Sequence, residues 1–100
     1  MNPVEFLQFW YQAQANGEWE LAHGVTIETL NTPAWIVSID LAGTALDGRT
    51  MPTVQDERSA SNWLQCEVDH NQFCGQGDSQ KLFTILEIFQ RWASDAAKLE

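Results

Sequence analysis

The chain has 100 residues, 44% of them hydrophobic, and its 14 Asp and Glu against 5 Lys and Arg give a formal net charge of -9. A chain of this length forms one domain and buries about two-thirds of its unfolded surface, which is enough for a core without metal or disulfide. We expect no nucleic-acid partner, because affinity for phosphate comes largely from Lys and Arg displacing counterions. The charge either serves solubility alone or speeds encounter with a basic partner.

The start of the chain and its apolar stretches indicate where the protein is located in the cell. No basic segment followed by an apolar run opens the chain, and no apolar stretch approaches the roughly 18 residues of a membrane helix. We therefore expect no secretory signal, no membrane partner and a cytoplasmic location. We assign residues 1–98 to a single domain, and Leu99 and Glu100 resemble the remnant of an expression vector.

The first predicted element is an aromatic helix that starts at Asn2 and stops at Asn16-Gly17. Asn2 is a good N-cap, Pro3 suits the first helical position, and Glu5 completes a capping box. Five of the six residues from 6 to 11 are large and apolar, which is more than one helical stripe. Either the helix is packed on two sides, or part of it is a contact surface, as in a homodimer formed through this helix.

Two strand-like segments follow the helix. Apolar and polar residues alternate over 25–28 and again over 35–41, and residues 31–33 between them have turn chemistry, so we predict an antiparallel hairpin. The segment 42–61 is the least regular, with a short strand predicted at 51–54 and a solvated charged edge at 56–58.

A second hairpin and a final helix complete the chain. We predict a strand over 63–68, a tight turn near His70-Asn71 and a strand over 72–74, after which Asp78 or Ser79 caps the last helix. The apolar stripe of that helix is Leu82, Ile85, Leu86, Phe89, Trp92 and Ala93. The order helix, antiparallel strands, helix predicts an α+β fold, a single two-layer domain with a β-meander of about four to six strands.

The register of the second hairpin decides whether the two cysteines pair. Pairing Val68 with Phe73 places apolar residues together, whereas centring the turn on His70 pairs the cysteines but sets apolar residues against polar ones. In the favoured register Cys66 and Cys74 lie on opposite faces of the sheet. We therefore expect no disulfide, and no metal site from Cys66, His70 and Cys74.

Enzymatic interpretations have little support. Cys74, at a predicted strand end before a glycine-containing loop and a helix start, suggests a rhodanese-like sulfurtransferase, but Asp78 would raise the thiol pKa and cationic support is missing. The pair Gly75 and Gly77 lacks the further residues of a dinucleotide fingerprint or a P-loop. We expect no catalytic residues and no cofactor.

The segment Gly17-Glu18-Trp19-Glu20-Leu21-Ala22-His23-Gly24 holds the first candidate contacts for a partner. We expect Glu18 and Glu20 to share one face of a strand and the Trp19 indole to act as an anchor, with His23 nearby. A second set of candidates is Asp56, Glu57, Glu67 and Asp69. We expect Trp10, Trp35 and Trp92 in the core. Trp19 is equally compatible with a place in the core and with a contact to a partner.

Several stretches carry a resemblance to a known family: residues 2–11, Gly17-Glu18-Trp19-Glu20 with His23-Gly24, residues 25–35 and 39–44, Asn62-Trp63, Phe73 with the glycines after it, and residues 85–89 with Trp92. They resemble the immunity protein 53 family of bacterial polymorphic toxin systems, over nearly the whole chain and most weakly at 45–60. The resemblance implies a cytoplasmic, non-enzymatic antitoxin that binds and blocks a cognate protein toxin. We interpret the acidic surface as occluding a basic cleft, such as that of a nuclease. The alternatives are the sulfurtransferase and a self-associating structural domain.

Overall fold

The computed structural model describes residues 1–98, which form three helices and five strands. The element bounds are α1 Pro3–Gln14, α2 Trp19–Ala22, β1 Val25–Thr29, β2 Ala34–Asp40, β3 Val54–Ser59, β4 Asn62–Asp69, β5 Gln72–Asp78 and α3 Leu82–Lys98. The predicted α+β class, with helices at both ends of an antiparallel sheet, is confirmed. The interpretation of residues 99 and 100 lies outside the described residues.

All five strands belong to one antiparallel sheet in the order β1-β2-β5-β4-β3. Consecutive strands pair within β1-β2 and within β3-β4-β5, and β5 then pairs with β2. The sheet therefore consists of the β1-β2 hairpin and the β3-β4-β5 meander, which join at its centre. The irregular segment 41–53 carries the chain from β2 to the far edge, where β3 begins.

The helices pack on one face of this sheet, and the core lies between the two layers. Phe89 of α3 is at the centre: its ring centroid is 5.2 Å from that of Phe73 on β5 and 5.3 Å from that of Trp10 on α1. The apolar stripe predicted for α3 is confirmed, with Ile85, Leu86, Phe89 and Ala93 buried and Leu82 and Trp92 half-buried. The Asn2–Glu5 capping box of α1 is confirmed as well.

The register of the second hairpin is as predicted. Val68 pairs with Phe73, which places Cys66 opposite Gly75 and Cys74 opposite Glu67. The turn residues His70 and Asn71 have φ of 50° and 60°, the left-handed pair typical of a two-residue type I′ hairpin turn. Cys66 and Cys74 are both free.

The end of β5 differs from the prediction. Residues 75–77 are not a loop, because they pair with both β2 and β4, and the strand continues to Asp78. Helix α3 starts only at Leu82, so the predicted cap at Asp78 or Ser79 is wrong. Neither glycine position has space for a side chain: a Cβ at Gly75 would lie 2.3 Å from Ile85 Cγ2 on α3, and a Cβ at Gly77 would lie 2.7 Å from Lys81 Cβ, just before α3.

Asp78 instead joins the sheet to the start of α3. Its buried carboxylate accepts hydrogen bonds from the backbone N–H of Trp63 at 2.9 Å and of Gln80 at 2.9 Å, and from Lys81 Nζ at 2.7 Å. The Lys81 hydrogen bond above all, with the backbone donor of Gln80, lowers the pKa of Asp78 to about 2.

We expect Asp78 to make the fold sensitive to acid. Its pKa is 3.8 ordinarily and about 2 in the fold, so the unfolded chain binds the proton more readily. The stability that Asp78 contributes is therefore complete above about pH 4 and is lost as the pH falls toward 2. Asp78→Asn should lower the thermal midpoint at pH 7 and flatten its decline between pH 4 and 2. Asp95→Asn, at an exposed position on α3, is the control and should leave that decline unchanged.

Two further local predictions differ from the structure. Residues 19–22 form the short helix α2, so Glu18 and Glu20 do not share the face of a strand. The strand predicted at 51–54 starts at Val54 and continues to Ser59, with a bulge between Glu57 and Ser59. The expected solvated charged edge at 56–58 is confirmed, because these exposed residues lie in the edge strand β3.

Candidate partner-binding face

The face of the sheet opposite the helices is the candidate site, and we call it the open face. Strand side chains alternate between faces, and residues such as Val37, Ile39 and Phe73 point into the core. The alternate residues form the open face: Thr26, Glu28, Ile36, Ser38, Asp40, Gln55, Glu57, Trp63, Gln65, Glu67, Asp69, Gln72, Cys74 and Gln76.

The charge of the open face has one sign. All five charged residues among these strand positions are carboxylates, namely Glu28, Asp40, Glu57, Glu67 and Asp69, and none of the described strand residues on this face is Lys or Arg. Like charges collected on one face of a sheet give a negative electrostatic potential over that face.

The carboxylates are densest at one end of the open face. Asp40, Gln72 and Asp69 lie side by side on β2, β5 and β4, and Gln72 Nε2 donates a hydrogen bond to Asp40 Oδ1. One row further along the sheet, Glu67 lies beside Cys74. This end, which we call the acidic corner, is defined by Asp40, Glu67, Asp69 and Gln72.

A histidine borders the acidic corner on either side. His23 Nδ1 lies 3.8 Å from Asp40 Oδ2, and that same oxygen accepts a 2.9 Å hydrogen bond from the backbone N–H of Gly24. His70 Nδ1 lies 3.0 Å from Asp69 Oδ2, with both side chains well exposed. Each imidazole thus lies next to one carboxylate of the acidic corner.

Trp19, a predicted contact, lies in the core instead. Its side chain is 7% exposed, and its indole N–H donates a 2.8 Å hydrogen bond to the Ala42 carbonyl. The indole packs edge-on against Trp10 and Tyr11, with ring centroids 6.1 Å apart in each pair. This corrects the expectation of a projecting indole anchor. Of the three tryptophans expected in the core, Trp10 is buried, whereas Trp35 and Trp92 are half-buried and pack against the core.

The two carboxylates beside Trp19 have different surroundings. Glu20 folds back on its own segment and accepts hydrogen bonds from the backbone N–H of Asn16 at 3.0 Å and of Gly17 at 2.9 Å. Its own backbone N–H, and then those of Gly17 and Asn16, lower the pKa of Glu20. Glu18 is exposed at the start of α2. Of the first candidate set, His23 therefore reaches the acidic corner, and Glu20 stabilises a turn.

The second candidate set divides between the two faces of the sheet. Glu67 and Asp69 lie in the acidic corner, and Glu57 lies on the open face opposite Trp63. Asp56 pairs with Leu64, so it points to the helix side, where Arg58 Nε lies 3.2 Å from its Oδ1. A charge run in a strand alternates between faces, which is why neighbouring acids in the sequence do not share a site.

Sequence reasoning missed Asp40 and Glu28 as members of the site. The signal was present, because the alternation in 35–41 already placed Asp40 on the face opposite Val37 and Ile39. The sequence pattern did not show which strand lies next to β2. Asp40 lies in line with Asp69 only because β2 pairs with β5, which places Asp40 beside Gln72, 32 residues further along the chain.

Cys74 lies on the open face but is poorly suited to act as a nucleophile. Partial burial first, and then the carboxylates of Glu67 and Asp69, raise the pKa of its thiol above the ordinary value. It sits within β5, eight residues before α3, so no helix N-terminus supports a thiolate there. The second thiol, Cys66, is in the core, where burial raises its pKa to about 12.

Within residues 1–98, no cluster of three or more His, Cys, Asp and Glu is placed to hold a metal ion. In the same part of the chain, no helix combines the length and apolar character needed to cross a membrane.

Comparison with known proteins places the chain in a family. The family model described as Immunity protein 53 matches residues 4–94. The chain belongs to the immunity protein 53 family. The match covers α1, the whole sheet and most of α3, and thus includes the open face. No curated protein and no solved structure gave a match to this chain.

Proposed function

We propose that this member of the immunity protein 53 family is a non-enzymatic antitoxin that acts in the cytoplasm and binds a cognate protein toxin through its open face. The observation that carries the proposal is the single-sign charge of that face: the described strand residues whose side chains lie on it include five carboxylates and no Lys or Arg. Membership of an immunity-protein family supports a protein toxin as the partner.

Charge also supports the kind of toxin surface that fits. A carboxylate array complements a cluster of Lys and Arg, such as the basic cleft of a nuclease, and the overall charge of -9 would accelerate encounter with it. An antitoxin seated on such a cleft excludes the nucleic-acid substrate without chemistry of its own. The same field repels nucleic acid from the antitoxin itself.

The test is binding to the toxin domain encoded by the neighbouring gene, purified as an inactive variant. The double variant Glu67→Lys with Asp69→Lys should weaken binding by about 100-fold or more, because reversed charges face like charges across the interface. The matched control is Glu87→Lys with Asp95→Lys, which changes net charge equally on α3, on the helix side of the sheet. It should stay within about 3-fold of the unchanged protein, a difference of well under 1.4 kcal/mol.

Protection of cells that produce the active toxin gives the matching readout. The unchanged protein and the α3 control should protect, and the acidic-corner variant should not. Equal protection by both charge variants would contradict the open-face proposal, and failure of the unchanged protein to bind or protect would contradict the antitoxin role.

Helix α1 supports a second proposal, self-association. Leu7 and Trp10 are buried, but Phe9 is 64% exposed on one flank of this buried stripe, and Val4 and Tyr11 are exposed on the other flank. These exposed apolar side chains support the interpretation of part of this helix as a contact surface, with Phe9 as its most exposed member. Light scattering over a range of concentrations tests a homodimer through this helix, which Phe9→Glu should abolish without changing the thermal midpoint.

A further inference from the structure

The two edges of the sheet differ in how they resist pairing with another strand. The β3 edge has a bulge between Glu57 and Ser59 and three consecutive charged residues at 56–58, both of which discourage strand addition. The β1 edge pairs with β2 over five residues without a register shift and has a single charged residue, Glu28. Only the β1 edge of this sheet is therefore regular and weakly charged.

The backbone groups at the β1 edge are available in a regular pattern. Asp40 N–H donates to the Gly24 carbonyl and Leu30 N–H to the Ala34 carbonyl, each at 3.1 Å. Since hydrogen-bonded pairs alternate along an antiparallel ladder, the even-numbered residues of β1 bond to β2. The N–H and C=O groups of Val25, Ile27 and Thr29 consequently point outward along the free edge.

The two sides of this edge have different chemistry. On the helix side, a groove of about 330 Å³ between α1 and β1 is lined by Leu7, Gln8, Tyr11, Gly24 and Val25. Ile27, on the same side of the strand, is 42% exposed. On the other side, Glu28 continues the carboxylates of the open face.

We infer that the β1 edge accepts an extended segment of the cognate toxin as a sixth, hydrogen-bonded strand, and this inference rests on the proposed function. Successive side chains of an added strand point to opposite sides. One set would enter the apolar groove beside Tyr11, and the other would lie next to Glu28. The segment that fits therefore alternates apolar residues with Lys or Arg.

Charge selects this occupant over a second copy of the chain. Two copies, each with a net charge of -9, repel one another and would bring their Glu28 carboxylates to the same edge, whereas a basic toxin segment is attracted. The edge is also continuous with the open face through Glu28, so one toxin could occupy both surfaces.

The first test uses a defined probe, a heptapeptide of alternating valine and lysine with both ends blocked, titrated into the full chain and followed by amide NMR. We expect saturable shifts at the amides of Val25, Ile27 and Thr29. A valine–glutamate peptide of the same length should not bind, because it lacks the positive charges that pair with Glu28. A valine–lysine peptide methylated on alternate backbone nitrogens should not bind either, because it lacks the N–H donors that pair with β1.

A pair of variants isolates the backbone of the edge. Ile27→Pro removes an N–H that points outward, so the ladder to β2 keeps its hydrogen bonds, and proline is tolerated at such edge positions. Its affinity for the peptide should fall by about 10-fold or more, the worth of one or two backbone hydrogen bonds. Ile27→Ala also shortens the side chain but retains the N–H, and its affinity should stay within about 3-fold.

The outcomes separate this inference from the proposed function. The edge inference would be overturned if Ile27→Pro bound the peptide as tightly as the unchanged protein, or if the shifts were confined to β4 and β5. A dimer of the unchanged protein that Ile27→Pro dissociates would also overturn it. If Ile27→Pro fails to fold, the shift map and the methylated peptide decide. With the toxin itself, normal binding by Ile27→Pro alongside loss in the Glu67/Asp69 variant would overturn the edge inference alone. Absence of any toxin binding by the unchanged protein would overturn both.

Discussion

Trp19→Ala should lower the free energy of unfolding by about 3–5 kcal/mol, the usual cost of truncating a buried tryptophan. The indole is 7% exposed, packs against two aromatic rings, and satisfies the Ala42 carbonyl through its N–H. A domain of this size is stable by only about 5–15 kcal/mol, so the variant should be unfolded in part near body temperature. Chemical denaturation followed by circular dichroism measures the change.

Leu21→Ala is the control for this segment. Leu21 lies two residues further along the same helix α2 but is 83% exposed, so its truncation should change stability by no more than about 0.5 kcal/mol. If Trp19→Ala instead kept the stability of the unchanged protein and lost only toxin binding, the indole would be a contact after all.

Gly75→Ala should also destabilise the fold, by about 1–3 kcal/mol or more, because a methyl group at this position has no space. Its Cβ would lie 2.3 Å from Ile85 Cγ2, and Ile85 is itself fully buried between α3 and the sheet. Either α3 must move away from β5 or the isoleucine must leave its rotamer. Thermal and denaturant unfolding measure the loss.

A double-mutant cycle shows whether the loss arises from that contact. In an Ile85→Ala background the clashing Cγ2 is absent, so Gly75→Ala should cost little, and the coupling should reach about 1–3 kcal/mol. Gly24→Ala is the control, since a Cβ there meets nothing within 4 Å. An equal cost of Gly75→Ala in both backgrounds would assign the effect to strand backbone entropy and not to the approach of α3.

Trp19 and Glu20, two of the predicted contacts, hold their own segment in place and do not project toward a partner. Trp19 is a core residue, and the Glu20 carboxylate is held by the backbone N–H groups of Asn16 and Gly17. This turn leads to His23, 3.8 Å from Asp40 at the acidic corner. Under the proposed function, substitutions at 19 and 20 would affect toxin binding through the position of the acidic corner.

The sequence by itself determined the parts that depend on local pattern. The capping box at Asn2, the apolar stripe of α3 and the alternation over 35–41 follow from the periods of helix and strand. The pairing of Val68 with Phe73, and with it the separation of the two cysteines, followed from placing apolar residues on one face. Family membership was likewise predicted from the residues and is shown by the family match.

Only the tertiary structure decided which distant residues share a surface. Gly75 and Gly77 belong to strand β5, where Ile85 and Lys81 leave no space for a Cβ, although two glycines before a helix are typical of a loop. The burial of Trp19 depends on Trp10 and Ala42, and the acidic corner depends on β5 pairing with β2 across the β3-β4 insertion. These contacts join residues that are far apart in the chain. Periodicity depends only on residues a few positions apart, so it predicts the faces of single elements. The candidate site follows from the pairing of the strands.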